Sequence, residues 1–190
     1  MTIFENHLVI RKGGNVERFH TDRMLFKQNV AQHSYNASLL AYDIAMSYNS
    51  MCEPRDQIDA NDIVMYMLLH DISEQATGDM PSFTKRKHPK IALLMNEAES
   101  EFFESKFDHT HFSTFDSLDC ESKIIAKFCD TFECACTCIE EIKMGNSNFN
   151  RVYIRCRTAL ASMLVSFDNR ILEEILELLL GNLDDTLNYL

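Results

Sequence analysis

Only five glycines and three prolines interrupt 190 residues, and that scarcity leaves the chain few places to turn. A sheet of many strands needs a turn every few residues, whereas a bundle of long helices needs few, so the expected class is all-α. Hydrophobic residues make up 46% of the sequence, enough for one good core, and the chain is too short for two ordinary domains. Residues 1–190 therefore read as a single domain.

Apolar periodicity places the helices. His33, Ala37, Leu40, Ala41 and Ile44 recur on one face of a helix from about Asn29 to Asn49. After a loop carrying Pro54, Asp59 or Asn61 caps a second helix, which runs to about Thr77-Gly78 and carries His70, Asp71 and Glu74. Gly78-Asp79-Met80-Pro81-Ser82 reads as a turn, and a helix from Ile91 to about Lys106 follows, with Leu94, Ala98 and Phe102 on one side. The polar segment from Phe107 to Asp119 reads as loop. The next helix, from about Cys120 to Lys143, has two faces that avoid solvent. One is Phe128, Phe132, Ala135, Ile139 and Ile142, the other Ala126, Asp130, Cys134 and Thr137, which puts this helix in the middle of the bundle. Gly145-Asn146-Ser147-Asn148 ends it, and helices near Arg151 to Ser166 and Asn169 to Leu180 complete the chain.

A net charge of −11 repels polyanions, which argues against a nucleic acid polymer or an anionic membrane surface as partner. No apolar run approaches a membrane span and the N-terminus lacks the layout of a secretion signal, so a cytoplasmic location is expected, the host cytoplasm for a viral chain. Seven cysteines, with Cys134, Cys136 and Cys138 too close together for a disulfide framework, point to free thiols in a reducing compartment. A zinc site joining Cys129 to those three is the alternative. Basic residues gather as Arg18, Arg23 and Lys27, then as Lys85, Arg86, Lys87 and Lys90. These clusters either receive phosphate groups or stand as solvated loop charges.

His70 and Asp71 close the apolar run Ile63-Val64-Met65-Tyr66-Met67-Leu68-Leu69, and Glu74 follows one turn later. Ionisable groups there are costly to bury without partners, which favours a bound cation over plain core. His33 and Asp130, from two other helices, complete a set of two imidazoles and two carboxylates. That donor set suits one divalent transition metal, Mn2+, Co2+, Fe2+, Ni2+ or Zn2+, better than Ca2+, with Mg2+ also allowed. Four ligands leave positions open for water and a substrate oxygen, the mark of a catalytic site. Each residue taken alone has a plainer reading, the histidines as hydrogen-bonded core and the aspartates as solvated or capping groups. Only the combination favours a metal.

The ordered series Arg18-Phe19, Ala31-Gln32-His33-Ser34, Leu69-His70-Asp71-Ile72-Ser73-Glu74, Thr77-Gly78-Asp79-Met80-Pro81 and Cys129-Asp130 resembles the HD-domain phosphohydrolases. The branch it most resembles is the bacterial YfbR-like 5'-deoxynucleotidases, to which small phage dATP triphosphohydrolases are related. The resemblance spans roughly residues 16 to 180 and implies an HD-type helical bundle with the metal between central helices. It implies that His33, His70, Asp71 and Asp130 bind the metal and that Glu74 activates the attacking water. Arg18 would hold the phosphate, Lys85 would contact it, and Asp79 would orient the nucleotide for catalysis and meet its sugar. Phe19 stands where the relatives usually have Trp, a smaller wall against sugar or base, and Gln32 stands where they usually have Glu. His20 and Thr21 follow directly and would line the base pocket, while His7, His88, His109 and His111 read as surface groups.

The activity implied is hydrolysis of a 2'-deoxynucleoside 5'-monophosphate to deoxynucleoside and phosphate. The alternative is release of triphosphate from dATP or another dNTP, with Lys85, Arg86 and Lys87 steadying the distal phosphates. A reading of another class is a non-catalytic metal-binding module whose face of Ile171, Ile175, Leu178 and Leu179 docks a partner. Family precedent implies a homo-oligomer.

Overall fold

The computed structural model describes residues 3–107, 112–165 and 168–188, and the named elements among them are all helical. Besides four short 3-10 turns, they are in chain order α1 (Ile3–Arg11), α2 (Val30–Met51), α3 (Ala60–Leu69), α4 (Glu74–Thr77), α5 (Ser82–Lys87), α6 (Pro89–Lys106), α7 (Cys120–Lys143), α8 (Asn150–Leu164) and α9 (Arg170–Asn188). Local chemistry fixes the ends of the two helices that matter most. Asn29 accepts from the Gln32 N–H while the Gln32 side chain accepts from the Asn29 N–H, a reciprocal cap that starts α2. Asp119 accepts from the Ser122 N–H at the start of α7, and Gly145 reverses the chain after its end with a φ of 95°.

As the two-faced pattern requires, α7 lies at the centre, against α2, α3, α8 and α9. Phe128, Ala135 and Cys138 are fully buried, and Ala37, Ala41 and Ala45 of α2 let neighbouring backbones come close. α9 closes the bundle with Leu172, Leu176, Leu180 and Leu183 buried and with Ile171, Ile175 and Leu179 packed against the same core. Of the apolar face considered as a partner surface, only Leu178 is well exposed. Arg157 and Tyr153 of α8 both bond Asp184 of α9 and tie the last two helices together.

Three elements depart from the sequence reading. α3 stops at Leu69, so His70 and Asp71 lie in a turn and Glu74 opens the separate short α4. The cause is local: His70 Nδ1 bonds the Met67 carbonyl at 2.7 Å, the acceptor that a continuing helix would offer to the Asp71 N–H. α6 forms but leaves Leu94 and Ala98 exposed, because it packs chiefly on the short α4 and α5. α1 lacks a clear apolar stripe, was not foreseen, and contains no buried residue. His109, His111 and Ser166 lie outside the described residues.

The loop between α1 and α2 is built to hold Arg18 still. Glu17 and Asn29 form an isolated antiparallel bridge, and the Arg18 N–H donates to the Gln28 carbonyl at 2.9 Å. The far side of the loop is clipped to the end of α7. There the Glu141 carboxylate accepts the N–H groups of Leu25 and Phe26 and the Asn146 amide, which also donates to the Arg23 carbonyl. Burial raises the Glu141 carboxyl, yet these donors outweigh it and hold the group below its ordinary range. Glu141→Gln should therefore cost about 1–3 kcal/mol of stability at neutral pH. Because the folded-state value is depressed, the contribution is full above the ordinary carboxylate value and fades as pH falls through the folded one. Urea unfolding should show the full deficit at about pH 7 and a deficit that shrinks as the pH is lowered past the ordinary carboxylate value; a deficit independent of pH down to acid unfolding would contradict the clip.

Candidate functional site

His33 on α2, His70 and Asp71 in the turn after α3, and Asp130 on α7 converge, each offering one ligand atom within 4.8 Å of the others. His33 Nε2 is 3.1 Å from Asp130 Oδ1 and 3.7 Å from Asp71 Oδ2, and His70 Nε2 is 3.3 Å from Asp71 Oδ2 and 3.9 Å from Asp130 Oδ1. Donors about 2.1 Å from one ion stand roughly 3–4 Å apart, so the spacing fits a single divalent cation. Both rings are presented the right way round. The Met67 carbonyl can only accept, so His70 Nδ1 carries a proton and the ring turns Nε2 to the cluster. His33 Nδ1 bonds the buried Glu133 carboxylate, which turns its Nε2 inward in the same sense.

Unpaired buried atoms mark the same place. Among the described residues, six buried side-chain polar atoms lack a hydrogen-bond partner, and three of them are His70 Nε2, Arg18 Nε and Glu74 Oε2. Such atoms are costly to bury, and here they are a ligand nitrogen, a donor suited to an anion and an acceptor suited to water. A second possible cluster, His33 with Glu133 and Cys134, is a poorer cradle. Glu133 is already filled by amide, hydroxyl and imidazole donors, and burial pushes the Cys134 thiol well up. The four cysteines considered as a zinc site do not converge among the described residues, and all seven cysteines are free.

Arg18 anchors one wall. Its Nη1 donates to Asp71 Oδ2 at 2.7 Å and its Nη2 to Cys134 Sγ at 2.9 Å. Burial works to raise the Asp71 carboxyl, but His70 and Arg18 bring it well below the usual carboxylate range. Glu74 goes the other way. Burial, reinforced by the like charges of Asp71 and Asp79, pushes it up to about 8, although Lys85 Nζ lies 4.0 Å away. Phe19 holds a left-handed backbone, φ 52°, unusual for a bulky residue and costing of order 1–3 kcal/mol. The Asp79 carboxylate accepts the Phe19 N–H at 3.2 Å, and the Phe19 ring meets Phe149 edge-on, which together hold the strained turn. Gly78, φ 75°, lets the chain leave α4 in the direction that brings Asp79 there.

These residues line a cleft of about 610 Å3 in which Arg18, Phe19, His20, Thr21, Asp71, Glu74, Asp79, Lys85, Arg86 and Asp130 all take part. A larger hollow of about 1040 Å3 lies on the other side of His70, but Asp62, Glu99, Glu104 and Asp116 line it without Lys or Arg, and it is unsuited to a phosphate. Every residue expected from the sequence to bind the metal, activate water or meet the nucleotide's phosphate, sugar or base reaches the cluster or the cleft, and of the three basic residues considered for distal phosphates Lys85 and Arg86 do. Arg23, Lys27, Lys87 and Lys90 do not; Lys27 pairs with Glu17 on the surface. Sequence reasoning missed the opposing wall, Val152, Arg155, Cys156 and Ala159, although their 3–4 spacing defines one face of α8. It also missed Tyr66, whose ring backs His70, and Glu133, one turn after Asp130 on α7.

The profile of the 5'-deoxynucleotidase YfbR-like family matches residues 7–177. The chain belongs to the YfbR-like family. A 5'-deoxynucleotidase of Yersinia pseudotuberculosis serotype I (strain IP32953) is 26% identical over 155 residues, 77% of this chain and 78% of that protein. A 5'-deoxynucleotidase of Yersinia pestis (strain Pestoides F) matches to the same extent. The fold of this YfbR-like chain is shared with the cyanophage S-2L HD phosphohydrolase DatZ, solved with dA and one catalytic Zn2+ ion. That pair has a TM-score of 0.71 at 18% identity, covering 100% of this chain and 98% of the other. An HD-domain phosphohydrolase of Listeria innocua gives a TM-score of 0.69 at 17% identity, covering 97% and 99%.

Proposed function

We propose that this chain is a divalent-metal-dependent 5'-deoxynucleotidase, cleaving a 2'-deoxynucleoside 5'-monophosphate into deoxynucleoside and phosphate. The observation that carries the reading is the meeting of four candidate ligands, two of which, Asp71 and Asp130, line a cleft that also contains Arg18, Glu74, Asp79 and Lys85. His33, His70, Asp71 and Asp130 would hold a cation of the Zn2+, Mn2+ or Co2+ class, which when bound polarises a phosphoryl oxygen and acidifies water.

The protein's own groups do the rest. Arg18, with an unpartnered Nε and a fixed guanidinium, binds phosphoryl oxygens, and Lys85 adds a second positive charge across the cleft. Glu74 becomes a carboxylate when positive charge is added beside it, and its buried Oε2 then takes the proton of the attacking water. Asp79 keeps the Arg18-Phe19 turn in place and meets the sugar. The water oxygen bonds to phosphorus as the P–O5' bond breaks, and the proton held by Glu74 returns to the departing O5', so that deoxynucleoside and phosphate leave. A second reading, release of triphosphate from a dNTP, draws on Arg86 and Arg155, which line the same cleft and could meet distal phosphates.

A second copy of the chain is the proposed partner. Tyr35, Leu39, Tyr42 and Met46 recur at i, i+4, i+7 and i+11 on the outer face of α2, and each is exposed. Asp43 is the sole Asp, Glu, Lys or Arg in α2, so two chains of net charge −11 can meet there with little repulsion. Free cysteines support a cytoplasmic location, and among the described residues no helix is long and apolar enough to cross a membrane.

With dAMP and Mn2+ or Co2+ the product should be inorganic phosphate, and Glu74→Ala should lower turnover about 10²–10⁴-fold while the fold persists. Inorganic triphosphate from dATP, with no turnover of dAMP, would shift the assignment to the second reading. Sedimentation should find a dimer or larger assembly that Leu39→Glu dissociates; a monomeric parent protein at micromolar concentration would remove the partner proposal.

A further inference from the structure

A buried carboxylate that touches the candidate metal centre stands outside its four candidate ligands. Glu133 is 5% exposed, and its Oε2 bonds Nδ1 of His33, itself wholly buried. Its Oε1 accepts Gln28 Nε2 at 2.6 Å, Asn36 Nδ2 at 3.3 Å and Thr137 Oγ1 at 3.4 Å. These donors come from the loop before α2, from α2 itself and from α7, so the carboxylate is fixed on three sides before it meets the imidazole. Gln28, Asn36 and Thr137 are all neutral, and His33 is the sole ionisable group among the four hydrogen-bond partners.

A plain structural staple joining Gln28, α2 and α7 would need only a neutral acceptor. A buried anion held against a ring nitrogen does something more. It fixes a proton on Nδ1, leaves Nε2 as the nitrogen that faces Asp71 and Asp130 and can bind a cation, and makes the imidazole a stronger electron donor. We propose that Glu133 is a positioning residue that acts through His33 and sets the affinity of the centre for its divalent cation. This rests on the reading that the four-residue cluster holds such a cation.

Zn2+ titration against a competing chelator tests it, with folding of each metal-free variant followed by circular dichroism. Glu133→Gln keeps an acceptor and the side-chain volume while removing the charge, and Gln28 can turn its own amide to complement it because Gln28 Oε1 is unpartnered. Loss of a supporting carboxylate weakens metal binding about 10–100-fold, so Glu133→Gln should fall near the lower bound and Glu133→Ala near the upper. Nitrogen-15 NMR of the metal-free parent protein should find His33 Nδ1 protonated, and Glu133→Ala should lower that protonation in favour of an Nε2–H bonded to Asp130.

His33→Ala separates the two levels of the argument. Unchanged Zn2+ affinity in His33→Ala would overturn the metal centre itself. A loss in His33→Ala with parent-like affinity and an unaltered His33 Nδ1 protonation in both Glu133 variants would overturn the positioning role alone.

Discussion

Asp71 and Asp130 bring carboxylate oxygens within 4.8 Å of each other beside two buried imidazoles, and like charges at that range demand a positive counterweight. At an effective dielectric constant of about 20 their repulsion is roughly 3–4 kcal/mol, a large fraction of a domain's net stability. Arg18 offsets part of it through its 2.7 Å bond to Asp71. It does not bond Asp130, which instead meets His33 Nε2 at 3.1 Å, and a cation shared by all four residues would balance the charge at both carboxylates at once. Much of the surrounding structure serves to maintain that crowding.

The fold accomplishes this by distributing the work. α7 supplies Asp130 and Glu133 from one turn, α2 supplies His33 one turn after its cap, and the break after α3 aims His70 and Asp71 together. The loop clipped by Glu141 delivers Arg18, and the Asp79 bond to the Phe19 N–H joins that loop to the segment after α4. Local strain at Phe19 persists because rigid neighbours on both sides hold it, which is common where a binding turn must keep one shape.

How much of this the sequence reveals depends on which force sets each feature. α7 is readable at both ends because its boundaries are local, an Asp119 cap and Gly145, and its central place follows from two apolar faces. The four candidate ligands stand out because ionisable groups interrupt apolar patterns. The end of α3 at Leu69 is hidden, since it arises from a histidine side chain taking a backbone carbonyl rather than from a helix-breaking residue. Glu133 is hidden for a related reason: a carboxylate on a helix reads as solvated until Gln28, from the preceding loop, is seen to cover it. The exposed positions of α6 were misjudged because periodicity tells which residues share a face but not whether anything lies opposite.

The most direct test is a crystal grown with Mn2+ or Zn2+ and measured at an absorption edge of the metal. One anomalous peak should lie about 2.0–2.2 Å from His33 Nε2, His70 Nε2 and an oxygen of each of Asp71 and Asp130. A peak elsewhere on the protein, with those four side chains left without an ion, would contradict the account.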